Sequence, residues 1–149
     1  MQYKAMKRAG TLKRTGFKTK PRSKRTKRQK KVEDADKAWG LAVRKTDKDL
    51  CQWCKLDGKQ VYGNQPHHIV SRSHKVLRWD VENGVTLCYP CHMFRITREP
   101  VEYTKFLFEW LGGEKIYNNL KERSKINYKH TIEELEAIIS NLNYLLNGK

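Results

Sequence analysis

The first 32 residues of the chain contain no aspartate or glutamate, although they hold 14 of its 32 lysines and arginines. All 16 acidic residues lie in the other 117 positions, where 18 basic residues leave a net charge of only +2. A cationic run with so little apolar surface is typical of a disordered arm. Because its cations would neutralise phosphates and release counterions, we predict that residues 1–32 bind nucleic acid without reading its sequence. A solubilising or targeting tail is the alternative.

The sequence also lacks long apolar runs. No stretch is apolar enough to cross a membrane, and the first residues lack the apolar core of a secretory signal. We therefore expect a cytoplasmic protein that has no membrane partner. A length of 149 residues predicts one small domain with appendages, divided into the arm (1–32), a core (33–100) and a C-terminal helical packing segment (101–149).

Cysteine is scarce, but the four cysteines form two C-x-x-C pairs, in "CQWC" (51–54) and "CYPC" (88–91). Paired thiols of this kind in an intracellular protein indicate a metal site, so we predict that Cys51, Cys54, Cys88 and Cys91 hold one structural zinc ion. Two disulfides would need an oxidising compartment, and a redox motif would need only one pair. The 33 residues between the pairs exceed the roughly 15–20 of a plain zinc ribbon. The insert must therefore serve another purpose.

Turn residues and apolar periodicity give a coarse secondary structure. The core predicts a helix from Glu33, a strand at "HHIV" (67–70), a basic loop from Ser71 to Trp79, a strand at "GVTL" (84–87) and a helix to about Arg98. The C-terminal segment predicts a helix at 101–111 that ends at Gly112-Gly113. A last helix begins with the capping box of Thr131 and Glu134 and ends at Gly148.

Three of the four histidines in the insert and its flank have a natural division of labour. His67 and His68 are neighbours on a predicted strand, so their side chains point to opposite faces and cannot easily bind the same ion. His92 follows Cys91 directly, and adjacent helical residues lie about 100° apart, so Cys91 can face the zinc while His92 faces elsewhere. A second divalent ion beside a free imidazole is equipment for phosphodiester hydrolysis.

The segment from "HHIVSRS" through Asn83 in "VENGVTLC" to "CYPCH" resembles the HNH endonucleases, whose ββα-metal core is flanked by C-x-x-C pairs. His68, Asn83 and His92 are the three name-giving residues, and the likeness covers about residues 51–96. The basic leader resembles small HNH proteins of phages and prophages. The resemblance implies an α+β fold: a small ββα-metal core clamped by the four-cysteine zinc site, with flanking helices and a disordered basic arm. It also implies a DNA endonuclease that works in a bacterial or phage-infected cell.

The same resemblance implies roles for the site residues. His68 would be the general base, Asn83 would brace the loop between the strands, and His67 and His92 would hold the catalytic ion. Some relatives have a further histidine four residues after His92, but this chain has Ile96 there. Two protein ligands favour Mg²⁺, Mn²⁺ or Ni²⁺ completed by water and phosphate over tightly bound zinc.

Five cations of the loop and the following helix are candidate nucleic-acid contacts: Arg72, Lys75, Arg78, Arg95 and Arg98. Each has a solvated surface charge as its alternative, although Arg72 lies close to the histidine pair. Two other functions stay open from sequence. One is a non-catalytic, zinc-stabilised nucleic-acid-binding protein, which the missing third ligand at Ile96 allows. The other is action on RNA, because phosphate contacts distinguish the two polymers poorly.

Overall fold

The computed structural model describes residues 24–148, so the predicted disorder of residues 1–23 lies outside the described part of the chain. The helices are α1 (Lys27–Thr46), α2 (Gln52–Leu56), α3 (Ile96–Arg98), α4 (Pro100–Leu111), α5 (Glu114–Ser124) and α6 (Ile132–Asn147). The strands are β1 (Gln65–His68) and β2 (Gly84–Leu87). Single 3₁₀ turns lie at Lys75–Leu77 and Val81–Asn83, and a π-helical turn at Cys91–Arg95 leads into α3.

The two strands pair antiparallel, with His67 opposite Val85 and His68 opposite Gly84. Together with the surrounding helices this hairpin confirms the predicted α+β class. β2 has the predicted bounds, but β1 ends at His68 rather than continuing to Val70. The reason is local: the Asn83 side chain bonds to both the N–H and the carbonyl of Val70, which removes these groups from the ladder.

Helix α1 begins at Lys27, six residues before the predicted start at Glu33. Thr26 is its N-cap, and Gln29 completes a capping box, a motif that stabilises a helix by about 1 kcal/mol. The lysines, arginines and glutamines that follow are good helix formers. The predicted boundary of the arm at residue 32 therefore falls inside α1. The prediction that residues 27–32 are disordered is wrong, because they form the first turns of this helix.

Helices α1 and α6 pack along each other and form one of two apolar clusters. Ala35, Ala38, Trp39 and Val43 of α1 meet Leu135 and Leu142 of α6, and all six are buried. The Thr131–Glu134 capping box and the left-handed Gly148 bound α6 as the sequence predicts. The preceding helix α5 was not predicted separately, because its sequence is mostly polar and only Leu120 is buried.

Gly84 allows α1 to lie directly on the hairpin. A Cβ at this position would come within 2.4 Å of a Val43 methyl carbon and 2.8 Å of the Trp39 ring. The φ of Gly84 is −123°, so the glycine is required for close approach rather than for a turn. Asp47, at the end of α1, also connects this helix to β2, because its carboxylate accepts a hydrogen bond of 2.6 Å from the Thr86 backbone N–H.

The other apolar cluster surrounds the cysteines and is closed by α4. Trp53, Val85 and Leu87 are buried against Phe106 and Leu107. Trp53 and Phe106 stack with ring centroids 5.2 Å apart. Across residues 24–148, none of the helices has the length and apolar character that crossing a membrane requires.

Candidate active site and metal centres

The four cysteines converge at one point. Their Sγ atoms all lie within 4.8 Å of one another, and Cys54 is 3.8 Å from Cys88 and 3.6 Å from Cys91. A tetrahedral zinc ion with Zn–S bonds of about 2.3 Å separates its sulfurs by about 3.8 Å. The donor set and its spacing thus fit a structural zinc ion. The predicted four-cysteine cluster is confirmed.

Protons on the thiols compete with a metal ion for this site. Burial, together with the neighbouring Cys51, raises the pKa of Cys54 to about 12. Burial also raises the pKa of Cys91. A free Cys54 thiol is therefore protonated at neutral pH, and metal binding must release that proton.

His67 and His92 face each other from the hairpin and from the π-helical turn. Their ring centroids are 5.1 Å apart in an edge-to-face arrangement. Burial, with the nearby His92, lowers the pKa of His67 to about 4, and burial also lowers that of His92. Both rings are therefore neutral at pH 7, the state in which an imidazole nitrogen can bind a metal.

One atom of this pair lacks a partner. Nδ1 of His92 is buried and makes no hydrogen bond with the described residues. A buried nitrogen without a partner costs about 1–3 kcal/mol, and a bound ion would satisfy it. The residues present thus fit an ion. Within residues 24–148 the only cluster of three or more metal-binding side chains is that of the cysteines, so this site offers two protein ligands.

His68 points to the other face of the hairpin. Its ring stacks on Trp39, with centroids 3.7 Å apart and planes 12° apart. Nε2 of His68 lies 2.8 Å from the carbonyl oxygen of Arg78. A carbonyl only accepts, so Nε2 carries the proton and Nδ1 keeps the lone pair. Burial lowers the pKa of His68, which favours this neutral form.

Asp36, which the sequence did not single out, supports His68 indirectly through Arg78. The Asp36 carboxylate accepts two hydrogen bonds from the Arg78 guanidinium, of 2.9 and 2.7 Å, and one of 2.8 Å from the Trp79 indole. Burial alone would raise the pKa of Asp36, but these bonds outweigh it and hold the pKa below its usual value. Asp36 therefore fixes the residue whose carbonyl orients His68. No local signal marks it, because Asp36 resembles any acidic residue on a helix.

Asn83 is fully buried and ties together the loop between the strands. Its Oδ1 accepts from the Val70 N–H at 2.7 Å. Its Nδ2 donates to the carbonyls of Val70 at 2.9 Å and Leu77 at 3.1 Å. Arg78, which follows Leu77 directly, contacts His68. The geometry is therefore that of a brace between the loop and the His68 ring.

The predicted nucleic-acid contacts separate into two groups. Arg72, Lys75 and Arg98 are exposed. Arg78 is 15% exposed and paired with Asp36, whereas Arg95 pairs with Asp57 and Glu99 and lies 4.1 Å over the Trp53 ring. The guanidinium groups of Arg78 and Arg95 thus have partners within the chain, and the three exposed residues stay the stronger candidates.

An open cleft of about 620 Å³ runs along the hairpin and brings the candidate groups together. It is lined by His67, His68, Ser71, Arg72 and His92, with Pro66 and Ile69 beside them. His67 and His68, whose side chains lie on opposite faces of the hairpin, thus both line the same cleft. The cleft therefore has room for a ligand between the His67–His92 pair and the His68 imidazole.

Comparison with known proteins agrees with this geometry. Residues 51–93 match the family model described as HNH endonuclease. The matched segment includes all four cysteines together with His67, His68 and His92, and the match confirms the resemblance of this segment to the HNH endonucleases. Searches of curated proteins and of solved structures return no match. The HNH match indicates a nuclease or nucleic-acid-binding function.

Proposed function

We propose that the chain is a metal-dependent DNA endonuclease that hydrolyses phosphodiester bonds. The observation that carries the proposal is the cleft in which neutral His67 and His92 lie on one side and a stacked, hydrogen-bonded His68 on the other. The HNH match of the same segment supports it. A divalent ion bound by His67 and His92, such as Mg²⁺, Mn²⁺ or Ni²⁺, would stabilise charge on the scissile phosphate and the leaving oxygen.

His68 acts as the general base in this proposal. Its Nδ1 accepts a proton from a water molecule, whose oxygen forms a bond to phosphorus while the bond to the leaving oxygen breaks. The imidazolium that results is stabilised by the Arg78 carbonyl and by the negative charge of Asp36. Stacking on Trp39 holds the ring in place, so that little orientation is lost during the reaction.

The remaining residues position the polymer. Arg72 lines the cleft and is exposed, which suits a contact to a phosphate beside the scissile bond. Lys75 and Arg98 would extend the same contact along the backbone, and the cationic residues before α1 would add salt-sensitive affinity. A zinc ion held by the four cysteines would also fix the position of His92, because Cys91 and His92 are consecutive.

Supercoiled plasmid tests the proposal. Purified protein is incubated with Mg²⁺, Mn²⁺ or Ni²⁺, and nicked and linear products are measured. We expect cleavage by the wild type and a loss of about 10²–10⁴-fold in His68→Ala, the usual contribution of a general base. His74→Ala is the matched control, because His74 bonds to the Ser124 carbonyl, and it should retain activity. Circular dichroism and zinc content verify that each variant is folded.

The alternative is a zinc-stabilised protein that binds nucleic acid without cutting it. Ile96, in place of a third ligand, is the observation that favours it, because Ile96 packs against the cysteine cluster instead of contributing a nitrogen. Plasmid binding without cleavage by any of the three ions would support this alternative. Equal cleavage by wild type and His68→Ala would indicate a contaminating nuclease and would remove the support for His68.

A further inference from the structure

A second concave site borders the loop between the strands and shares no lining residue with the cleft. It has a volume of about 400 Å³ and is formed by the start of α1, the turn at Lys75–Leu77 and the segment that leads into α6. Volumes of roughly 300–1,000 Å³ are typical of pockets that hold small ligands. None of the residues described above as metal ligands contributes to it.

Aromatic rings form much of the wall of this pocket. His130 is one of its lining residues, with its ring centroid 5.3 Å from that of Trp79 and 4.9 Å from that of Tyr128. Tyr128 is 41% exposed, and its hydroxyl donates a hydrogen bond to the Glu134 carboxylate. The ring therefore has an accessible face and a fixed position, which is what stacking on a planar ligand requires.

Four cationic residues line the pocket around these rings, although the Arg78 guanidinium is paired with Asp36. Arg28, Lys75, Arg78 and Lys129 line the pocket, and no acidic residue is among its described lining residues. Arg28 also donates to the His130 carbonyl at 2.6 Å, which ties α1 to the segment before α6. The Lys75 carbonyl lies 3.1 Å from Nε2 of His130. A planar apolar wall with a cationic rim is complementary to a nucleobase that carries phosphate.

From this combination we infer that the pocket binds one unpaired nucleotide of a DNA strand. The base stacks on Tyr128 and its flanking phosphates pair with Lys129 and Lys75. The nucleotide must be unpaired, because both faces of a base inside a duplex are covered by its neighbours. Stacking on aromatic side chains with cations along the backbone is the general mode by which proteins hold single strands.

Arg78 joins the pocket to the cleft. Its side chain lines the pocket, and its carbonyl oxygen binds Nε2 of His68. A strand held in the pocket would thus contact Arg78, the residue whose carbonyl bonds to His68, the proposed general base. The inference rests on the proposed function to the extent that both take DNA as the partner. It adds a substrate class, namely DNA with an unpaired nucleotide near the cleavage point.

Fluorescence anisotropy with the full chain tests the inference. The probes are a DNA hairpin with one bulged thymidine, the same hairpin fully paired, and the bulged hairpin made of RNA, all without added divalent cation so that no cleavage occurs. The variants are Tyr128→Ala, Tyr128→Phe and Lys129→Ala. Tyr144→Ala is the matched control, since Tyr144 is 62% exposed on α6 and does not line the pocket.

We expect the wild type to bind the bulged DNA more tightly than the paired DNA. Tyr128→Ala should weaken the bulged probe roughly 5- to 100-fold and leave the paired probe unchanged, as loss of base stacking predicts. Tyr128→Phe keeps the ring and should bind like the wild type, as should Tyr144→Ala. Lys129→Ala should reduce the slope of log K against log salt by about 0.7–0.9, which is the contribution of one phosphate contact.

Equal affinity of the wild type for the two DNA probes would overturn the inference, as would equal weakening of both by Tyr128→Ala. Tighter binding of the RNA bulge would assign the pocket to RNA and would overturn it as well. The plasmid assay separates this inference from the proposed function. Cleavage without bulge preference removes only the pocket, and bulge preference without cleavage removes only the nuclease.

Discussion

Replacement of Asn83 gives the most specific test of how the loop is held. The side chain is fully buried and makes three hydrogen bonds to backbone groups, two with Val70 and one with Leu77. Each bond contributes roughly 0.5–1.5 kcal/mol, so Asn83→Ala should lower the free energy of unfolding by about 2–4 kcal/mol. Asn119→Ala, at an exposed position on α5, should change it by less than about 0.5 kcal/mol.

Asn83→Asp probes the same site with almost no change in shape. One carboxylate oxygen can still accept from Val70, but the other faces the carbonyls of Val70 and Leu77, which cannot donate. Burial therefore raises the pKa of the new carboxyl above its unfolded value of about 3.9. A raised acid pKa means that the folded state binds the extra proton, so stability falls as pH rises. The deficit relative to wild type should be larger at pH 7 than at pH 5.

Urea unfolding followed by tryptophan fluorescence in zinc-saturated buffer measures both variants. The reasoning fails if Asn83→Ala costs less than about 1 kcal/mol, or if the Asn83→Asp deficit is the same at the two pH values. Plasmid cleavage should fall in both variants as well, because Arg78 follows Leu77 and its carbonyl orients His68.

Two further predictions concern the metal centres. Cys88→Ser should abolish stoichiometric zinc binding and unfold the core, since structural zinc contributes about 10–16 kcal/mol of apparent binding free energy; unchanged zinc content and thermal stability would contradict the structural role. The pKa of His67 near 4 lies below the unfolded value of 6.5, so stability present above pH 6.5 is lost as pH falls towards 4. Between pH 7 and pH 5 the free energy of unfolding of the wild type should therefore fall by up to about 2 kcal/mol more than that of His67→Gln, measured by urea titration without added divalent ion. Equal decreases in the two proteins would show that the pKa of His67 is not lowered.

The features that could be predicted from sequence are those with a short-range signal. The C-x-x-C pairs predict the cysteine cluster, the short segments 67–70 and 84–87 predict the two strands, and the capping box with an apolar stripe predicts α6. The contacts of His68 could not be predicted in the same way. Trp39 stacks on His68 from α1, 29 positions earlier, and Asp36 of the same helix holds Arg78, whose carbonyl bonds to His68. Both depend on the packing of α1 on Gly84.

The basic residues show the same limit. All five candidates have the same charge in the sequence, yet Asp36, Asp57 and Glu99 neutralise two of them in the fold. The pocket around His130 also escaped prediction, because its walls come from α1, the loop and the segment before α6. A site formed by segments far apart in the chain has no characteristic residue spacing from which it could be predicted.

The packing of α1 against α6 has a consequence for the order in which the chain folds. Lys45 near the end of α1 donates to the carbonyl of Leu146, 101 positions later. Closing so long a loop costs entropy before any contact compensates for it, so this pairing should form late. The cysteines and the hairpin span residues 51–91 and can assemble earlier during synthesis. Trp39 and His68 are only 29 positions apart, so α1 can pack on the hairpin at the same early stage, and α6 would cover α1 last.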